Sequence, residues 1–315
     1  MKNLMLLLFP LLALGQSSFD TAVSYFDSND FDKARVYFER HLAQDKDLRT
    51  IEYLGDIAGY SKDWDKAMAY YQELLEAQPD NANYNFKYGG ALGMKALEVN
   101  KLRAATYIGD IKKHFHRAAE LDPSHIEARW ALVELYMQLP GIIGGSEEKS
   151  LAYAEELAGI SPVDGWLAKG YIAEYSNRPQ EAEAFYKKAV EVGQSPHTYD
   201  KLSEHYEKNN RPREALETAR VSLEKHKRNS LNYQIGKIAA QYNIEPETGI
   251  KCLMEYIEKY TVKDGVPKDW AYYRLAQIYR NMGNKQQALS WIDKALNDRP
   301  DFEQAREEKE RIEAL

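Results

Sequence analysis

The fold is decided by one stretch near the C-terminal end, Tyr272-x2-Leu275-Ala276-x2-Tyr279, followed by Ala288-x3-Ile292-x2-Ala295 and Pro300. The large residues of its first half recur every three or four positions, which places them on one face of a helix. The second half opens with a small residue and ends at a proline, which cannot continue a helix interior. The stretch therefore predicts two helices that pack against each other as a hairpin.

The small residue that opens the second helix recurs along the chain at a step of about 34 residues. It stands at Ala34, Ala67, Ser150, Ala182, Ala215, Gly249 and Ala288, and Ile111 fills the remaining step. The turn before it is polar, and the Asp and Asn residues there are typical helix N-caps. The spacing thus predicts an all-α fold of stacked antiparallel helix pairs.

These positions resemble the tetratricopeptide repeat (TPR) template, W-x2-L-G-x2-Y followed by A, F and P. The resemblance implies a right-handed superhelical solenoid over residues 16–300, with about eight repeats. The third unit, ending near His125, and the fourth, ending near Pro162, are longer than the others. The charged residues 301–315 are predicted to form the polar capping helix that a terminal repeat requires.

The third and fourth units also carry motifs that look like two narrower families. The motifs are Tyr88-Gly89-x-Ala91-Leu92-Gly93, Phe115-x-Arg117-Ala118-x-Glu120-Leu121-Asp122-Pro123 and Leu139-Pro140-Gly141-Ile142-Ile143-Gly144-Gly145-Ser146. They are similar to the TPR regulators of microtubule dynamics and to the periplasmic TPR subunits that accompany tripartite (TRAP) transporters. The latter are typically lipoproteins, and this chain lacks the lipid-bearing Cys.

The first residues predict export. Lys2 precedes an apolar run from Leu4 to Leu14, and Ala13-Leu14-Gly15 has the small-x-small pattern of a cleavage site. The run is too short for a membrane-spanning helix, which needs about 20 residues. Residues 1–15 therefore resemble a bacterial signal peptide cut before Gln16. We expect a mature chain that is periplasmic or secreted, is not a lipoprotein and has no transmembrane segment.

Charge and composition bear on the partner. The chain has 42 basic and 49 acidic residues, interspersed, for a formal charge of -7, so nucleic-acid binding is not expected. One cysteine, Cys252, allows no internal disulfide, and its apolar surroundings favour a buried residue over a nucleophile. The fold is therefore expected to be held by packing alone.

No motif predicts catalysis, a cofactor or a metal. Gly141 to Ser146 lacks the Lys of a phosphate-binding loop, and Ser146 before two glutamates reads as a helix N-cap. None of the seven histidines has the H-E-x-x-H spacing of a helical zinc site. The sequence gives no support for an enzyme, although a titratable cluster formed only in the folded chain would escape this reasoning.

In the TPR superfamily the first helices line a concave groove, and the resemblance maps eight residues of this chain onto it. They are Trp130, Glu134, Tyr171, Glu174, Glu204, Trp270, Tyr273 and Arg280. Aromatic anchors in a polar surround are typical of binding hot spots, and carboxylates favour a basic partner segment. A register shifted by one residue would instead rotate Trp130 and Tyr171 into the core.

Three functions remain open at this point. The first is an exported scaffold that grips a protein or peptide segment, including a segment of a membrane protein. The second is a periplasmic accessory subunit that binds a small ligand for a transport system in an apolar cavity beside units three and four. The third is an enzyme on a helical scaffold. We favour the first, because aromatic and acidic residues are predicted along the groove.

Overall fold

The computed structural model describes residues 9–315, with side chains from Ser18 onward. The first eight residues of the predicted signal peptide therefore lie outside the described residues. For its remaining residues, up to position 15, the side chains lie outside them. Over the described residues the chain forms seventeen α-helices and no β-strand. The all-α prediction is confirmed.

The helices follow one another with short connections. In chain order they are α1 (Phe9–Asp27), α2 (Phe31–Leu42), α3 (Leu48–Tyr60), α4 (Trp64–Ala77), α5 (Ala82–Glu98), α6 (Lys101–Leu121), α7 (Ile126–Gln138), α8 (Glu147–Ile160), α9 (Pro162–Tyr175), α10 (Pro179–Gly193), α11 (Pro196–Lys208), α12 (Pro212–His226), α13 (Asn229–Tyr242), α14 (Pro246–Glu258), α15 (Lys268–Asn281), α16 (Lys285–Asp298) and α17 (Glu303–Glu313). Two short 3-10 helices lie at Gly141–Ile143 and Val262–Asp264.

The chain divides into two compact units, one ending at Ile160 and one beginning at Ser161. In the N-terminal unit α1 packs on α2, α3 on α4, α5 on α6 and α7 on α8, and each pair also contacts the next. In the C-terminal unit α9 to α16 pair in the same way, and α17 packs on α16. The predicted stacking of antiparallel helix pairs is confirmed within each unit.

Helix starts follow from local chemistry. Asp30 and Asp63 accept backbone hydrogen bonds as the N-caps of α2 and α4. Pro179 and Pro212 occupy the first turn of α10 and α12, where the missing N–H costs nothing. Ser146 caps α8 as predicted, since its hydroxyl accepts from the Lys149 backbone N–H at 3.2 Å.

Each pair closes on the small residue that marked it in the sequence. Ala34, Ala67, Ser150, Ala182, Ala215 and Ala288 have no exposed surface, and Ile111 is 3% exposed. A larger side chain there would push the two helices of the pair apart. Cys252 is buried as well, and burial raises the pKa of its thiol.

The third pair is the elongated one. Its helices α5 and α6 have 17 and 21 residues, whereas the extra residues of the fourth pair lie in the turn that contains Gly141–Ile143. Lys112 of α6 donates to the Ile143 carbonyl at 2.8 Å and so fixes this turn beside α6. Within the described residues no helix is long and apolar enough to cross a membrane.

Candidate functional site

A glycine on the first helix lets a tyrosine of the second helix reach the first-helix face. At Gly55 an added Cβ would lie 2.5 Å from the Tyr71 ring, and at Gly170 it would lie 2.5 Å from the Tyr186 ring. Only a residue without a side chain fits beneath these rings. The same device therefore occurs once in each unit, and a polar cluster surrounds each of the two phenols.

In the N-terminal unit the cluster consists of Glu52, Asp56, Tyr71 and Lys87, and we call it the Lys87 cluster. Lys87 Nζ lies 2.7 Å from carboxylate oxygens of both Glu52 and Asp56. The Tyr71 hydroxyl donates to Asp56 at 2.7 Å. Burial opposes the charge of Lys87, but Asp56 and Glu52 outweigh it and raise the pKa of the ammonium group. The charges of this cluster are therefore satisfied internally.

In the C-terminal unit the cluster consists of Tyr171, Glu174, Tyr186, Asp200 and Glu204, and we call it the Asp200 cluster. Burial first, and then the charges of Glu174 and Glu204 and the phenol of Tyr171, raise the pKa of Tyr186. The ring of His205, which contacts Glu174 at 2.8 Å, lies 5.5 Å from the Tyr186 ring, and Asp200 lies one turn before Glu204 on α11. The predicted site residues Tyr171, Glu174 and Glu204 are thus brought together by the fold.

The Glu174 carboxylate is already paired within the fold. Its two carboxylate oxygens lie 2.8 Å from His205 Nδ1 and 2.6 Å from Lys208 Nζ. Burial disfavours its ionisation, but these two hydrogen bonds outweigh burial and lower its pKa. The sequence predicted Glu174 as an acid facing a partner, whereas the structure uses it to join α9 to α11.

Asp200 and Glu204 are more available. They lie one turn apart on α11, and Glu204 pairs only with Lys201 of its own helix, at 3.0 Å, with about half of its side chain exposed. Asp200 has no ion-pair partner among residues 18–315. Burial, and then the charge of Glu204, raise its pKa, and the nearby His197, Lys201 and Arg228 offset them only in part, so a further cation brought to this place would relieve both carboxylates.

Three predicted groove residues belong to the C-terminal end of the fold. Trp270 lies 4.6 Å from the ring of Phe302, and Tyr273 is 7% exposed in the same apolar cluster. Arg280 lies 2.5 Å from the fully buried carboxylate of Glu308. The segment leading into α17, and α17 itself, cover these side chains, so the structure places them mainly in packing.

The remaining predicted residues lie on α7 and α9. Trp130 and Tyr171 are half-buried, and Glu134 is exposed. All three make contacts of their own, so none is a free side chain. Tyr175, one turn after Tyr171 with its ring 6.0 Å away, is 53% exposed and is the more open aromatic of the two.

Two clefts beside the elongated pair have both charged and apolar lining. One of about 500 Å³ lies between α4 and α6, and one of about 590 Å³ lies between the start of α5 and the start of α7. The first is lined by Leu75, Pro79, Asp80, Asn85, Lys113, His114, His116, Arg117 and Glu120. His116 is held between the hydroxyls of Tyr136 and Tyr153 at 2.8 and 2.9 Å. In the described part of the chain no cluster of His, Cys, Asp and Glu could hold a metal ion.

Sequence reasoning did not single out Tyr186 or Lys87. A signal for the tyrosines existed: a glycine on the first helix is followed by a tyrosine on the second in both units, at 55 and 71 and at 170 and 186. The pairing of charges between neighbouring first helices has no such signal, because the partners are about 30 residues apart.

Three segments match models of the tetratricopeptide repeat, residues 54–92, 163–192 and 271–302. The chain thus contains TPR repeats in both units, which supports the TPR superfamily. The repeats indicate a protein-interaction scaffold, and TPR proteins are generally not catalysts. The two narrower resemblances and the export signal stay predictions.

Several solved structures are similar to the chain. The TPR protein YrrB, described as having an unusual peptide-binding site, is 18% identical over 62% of this chain and 97% of its own, with a TM-score of 0.43. A TPR protein from Parabacteroides merdae is 11% identical over 95% and 98%, with a TM-score of 0.49. TTC0263 from Thermus thermophilus is 14% identical over 77% and 99%, with a TM-score of 0.42. No curated protein sequence is significantly similar to the chain.

Proposed function

We propose that the chain is an exported, non-catalytic TPR scaffold that binds a basic segment of a protein partner on the face formed by α9 and α11. The TPR repeats supply the general role, and the Asp200 cluster supplies the place and the charge preference. The ligand is an extended segment carrying Lys or Arg, whose cation reaches Asp200 and Glu204 while its stem lies along the exposed ring of Tyr175.

One observation carries the proposal. Asp200 and Glu204 stand four residues apart on α11, where two like charges destabilise a helix. Neither is neutralised from α9, although Glu174 on that helix is neutralised from α11. An acidic pair that no group on the neighbouring first helix neutralises has the charge pattern of a site for a cation.

Export is supported by the sequence alone. Lys2, the apolar run and the small residues before Gln16 are the basis for it, together with the lone buried Cys252. A scaffold in the periplasm or outside the cell would meet its partner without needing a disulfide, because packing within the helix pairs holds the fold.

Peptide binding tests the site. Fluorescence anisotropy of the full chain is measured with a labelled Lys- and Arg-containing peptide and with its Glu-containing counterpart. We expect binding of the basic peptide, weakened about tenfold in D200N/E204Q, since two charges are removed. The control is E247Q/E258Q, which removes the same charge from exposed positions on α14 and should leave the affinity unchanged.

The pH dependence gives a second readout. The pKa of Asp200 is raised in the free protein, and a bound cation lowers it, so binding releases a proton. Affinity should therefore rise as the pH rises through the pKa of Asp200 and be lost in acid, more steeply in the wild type than in D200N. Equal affinities of wild type and D200N/E204Q for the basic peptide would disprove the proposal.

A further inference from the structure

The end of the α5–α6 hairpin projects from the fold. From position 93 to position 110, a segment we call the hairpin tip, every side chain is half-buried or exposed. Just below it Leu92 and Ile111 are 4% and 3% exposed. The tip therefore has no fully buried side chain, and only the partly buried Ala96 and Tyr107 pack against the core of its unit.

Large apolar side chains are exposed at the tip. Leu97 near the end of α5 is 73% exposed, and Leu102 at the start of α6 is 87% exposed. Met94, one turn before Leu97, is 42% exposed. Single exposed leucines are ordinary on protein surfaces, but apolar residues gathered at the end of a projection indicate contact with something else.

The same end carries available cations. Lys101 and Arg103 are exposed and have no ion-pair partner among the side chains that the structure describes. Glu98, at the end of α5, accepts a hydrogen bond from Trp64 Nε1 at 2.8 Å. Lys95 pairs with Asp65 at 2.6 Å. The tip thus presents two leucines and two cations in a chain whose formal charge is -7.

We propose that the hairpin tip docks on an anionic lipid surface. Leu97 and Leu102 enter the boundary between headgroups and acyl chains, and Lys101 and Arg103 contact lipid phosphates. Apolar residues flanked by basic ones are what an interfacial anchor needs, and long cationic side chains reach back to the headgroups. A projecting convex tip suits a plane, whereas a peptide ligand requires a groove. This surface is separate from the Asp200 cluster.

Vesicle co-sedimentation tests the proposal. The full chain is mixed with vesicles of equal parts phosphatidylglycerol and phosphatidylcholine, or of phosphatidylcholine alone. We expect partition onto the anionic vesicles that is about tenfold weaker in L97N/L102N, and similarly weaker in K101E/R103E. The control V192N/V262N removes two other exposed aliphatic residues, 50% and 77% exposed, and should bind as the wild type does.

Every variant carries the same N-terminal apolar run, so only differences between variants count. Circular dichroism should show unchanged helix content, because the altered side chains are exposed. Equal partition of all variants, or no binding to anionic vesicles, would overturn the proposal. So would a change in oligomeric mass of L97N/L102N without a change in partition, since the tip would then contact a second copy of the chain.

Discussion

The Lys87 cluster and the Asp200 cluster occupy the same place in the repeat but differ in how their charged groups are paired. In both, a glycine admits a tyrosine from the second helix to the first-helix face. In the first, Lys87 bridges two carboxylates and Tyr71 donates to one of them. In the second, Asp200 makes no ion pair and the Tyr186 hydroxyl has no hydrogen-bond partner in the described part of the chain.

The difference comes from the residues opposite one lysine. Lys201 lies two residues before Ser203 on α11, as Lys87 lies two residues before Gly89 on α5. Lys87 faces Glu52 and Asp56, whereas the corresponding positions on α9 are Leu167 and Tyr171. With no carboxylate across from it, Lys201 pairs with Glu204 on its own helix. The comparison indicates that the charge opposite one position decides whether the lysine bridges neighbouring first helices or pairs within its own helix.

Replacing the two lysines should give the largest contrast. K87M leaves Glu52 and Asp56, both about a quarter exposed, without their cation, and should lower the free energy of unfolding by about 2–3 kcal/mol. K201M removes an exposed pair and should cost less than about 0.5 kcal/mol. Urea denaturation followed by circular dichroism measures both.

A triple variant E52Q/D56N/K87M sharpens that result. It removes the uncompensated charges together with the lysine and should recover most of the stability lost in K87M. Equal losses of unfolding free energy in K87M and K201M would show that the Lys87 and Asp200 clusters do not differ in their charge pairing.

Replacing the two glycines should give a smaller effect that is the same in both regions. G55A and G170A force Cβ against the rings of Tyr71 and Tyr186 and should each cost about 1–2 kcal/mol, after the gain in helix propensity. The control is G90A, whose Cβ would meet no atom within 4 Å and which should stabilise by about 0.5–1 kcal/mol. Thermal melts show whether each of the three variants is more or less stable than the wild type. A G170A variant that is more stable than the wild type would contradict the packing of a tyrosine ring on the glycine in both units.

Removing the two hydroxyls should give the smallest effect. Y71F deletes a hydrogen bond to the charged Asp56 and should cost about 1 kcal/mol of stability. Y186F should change the stability by less than about 0.5 kcal/mol, yet weaken basic-peptide binding by about threefold. Melting and anisotropy are measured on the same samples. A stability loss in Y186F as large as that in Y71F would remove the distinction between the clusters.

The fold could be predicted because its signal is local and repeated. Spacing of a small residue marked each pair, and those residues are the buried ones at the helix crossings. The site was predicted less completely. Tyr171, Glu174 and Glu204 were predicted to face the groove, but whether Glu174 is open depends on His205 and Lys208 of the next pair.

Trp270 and Arg280 show what spacing cannot reveal. Their template positions suggested the groove, but Phe302 and Glu308, from the segment predicted only as a polar cap, lie against them. A position within one repeat sets the direction of a side chain, whereas its exposure depends on what the following segment places over it.

The position of α17 also bears on assembly. Its Ala305 and Ile312 are fully buried against the last helix pair, and its buried Glu308 is tied to Arg280 and Arg311. α17 therefore lies on the face of the α15–α16 pair where another hairpin would stack. While α17 lies there, a hairpin of a second molecule cannot stack on that face in a head-to-tail arrangement.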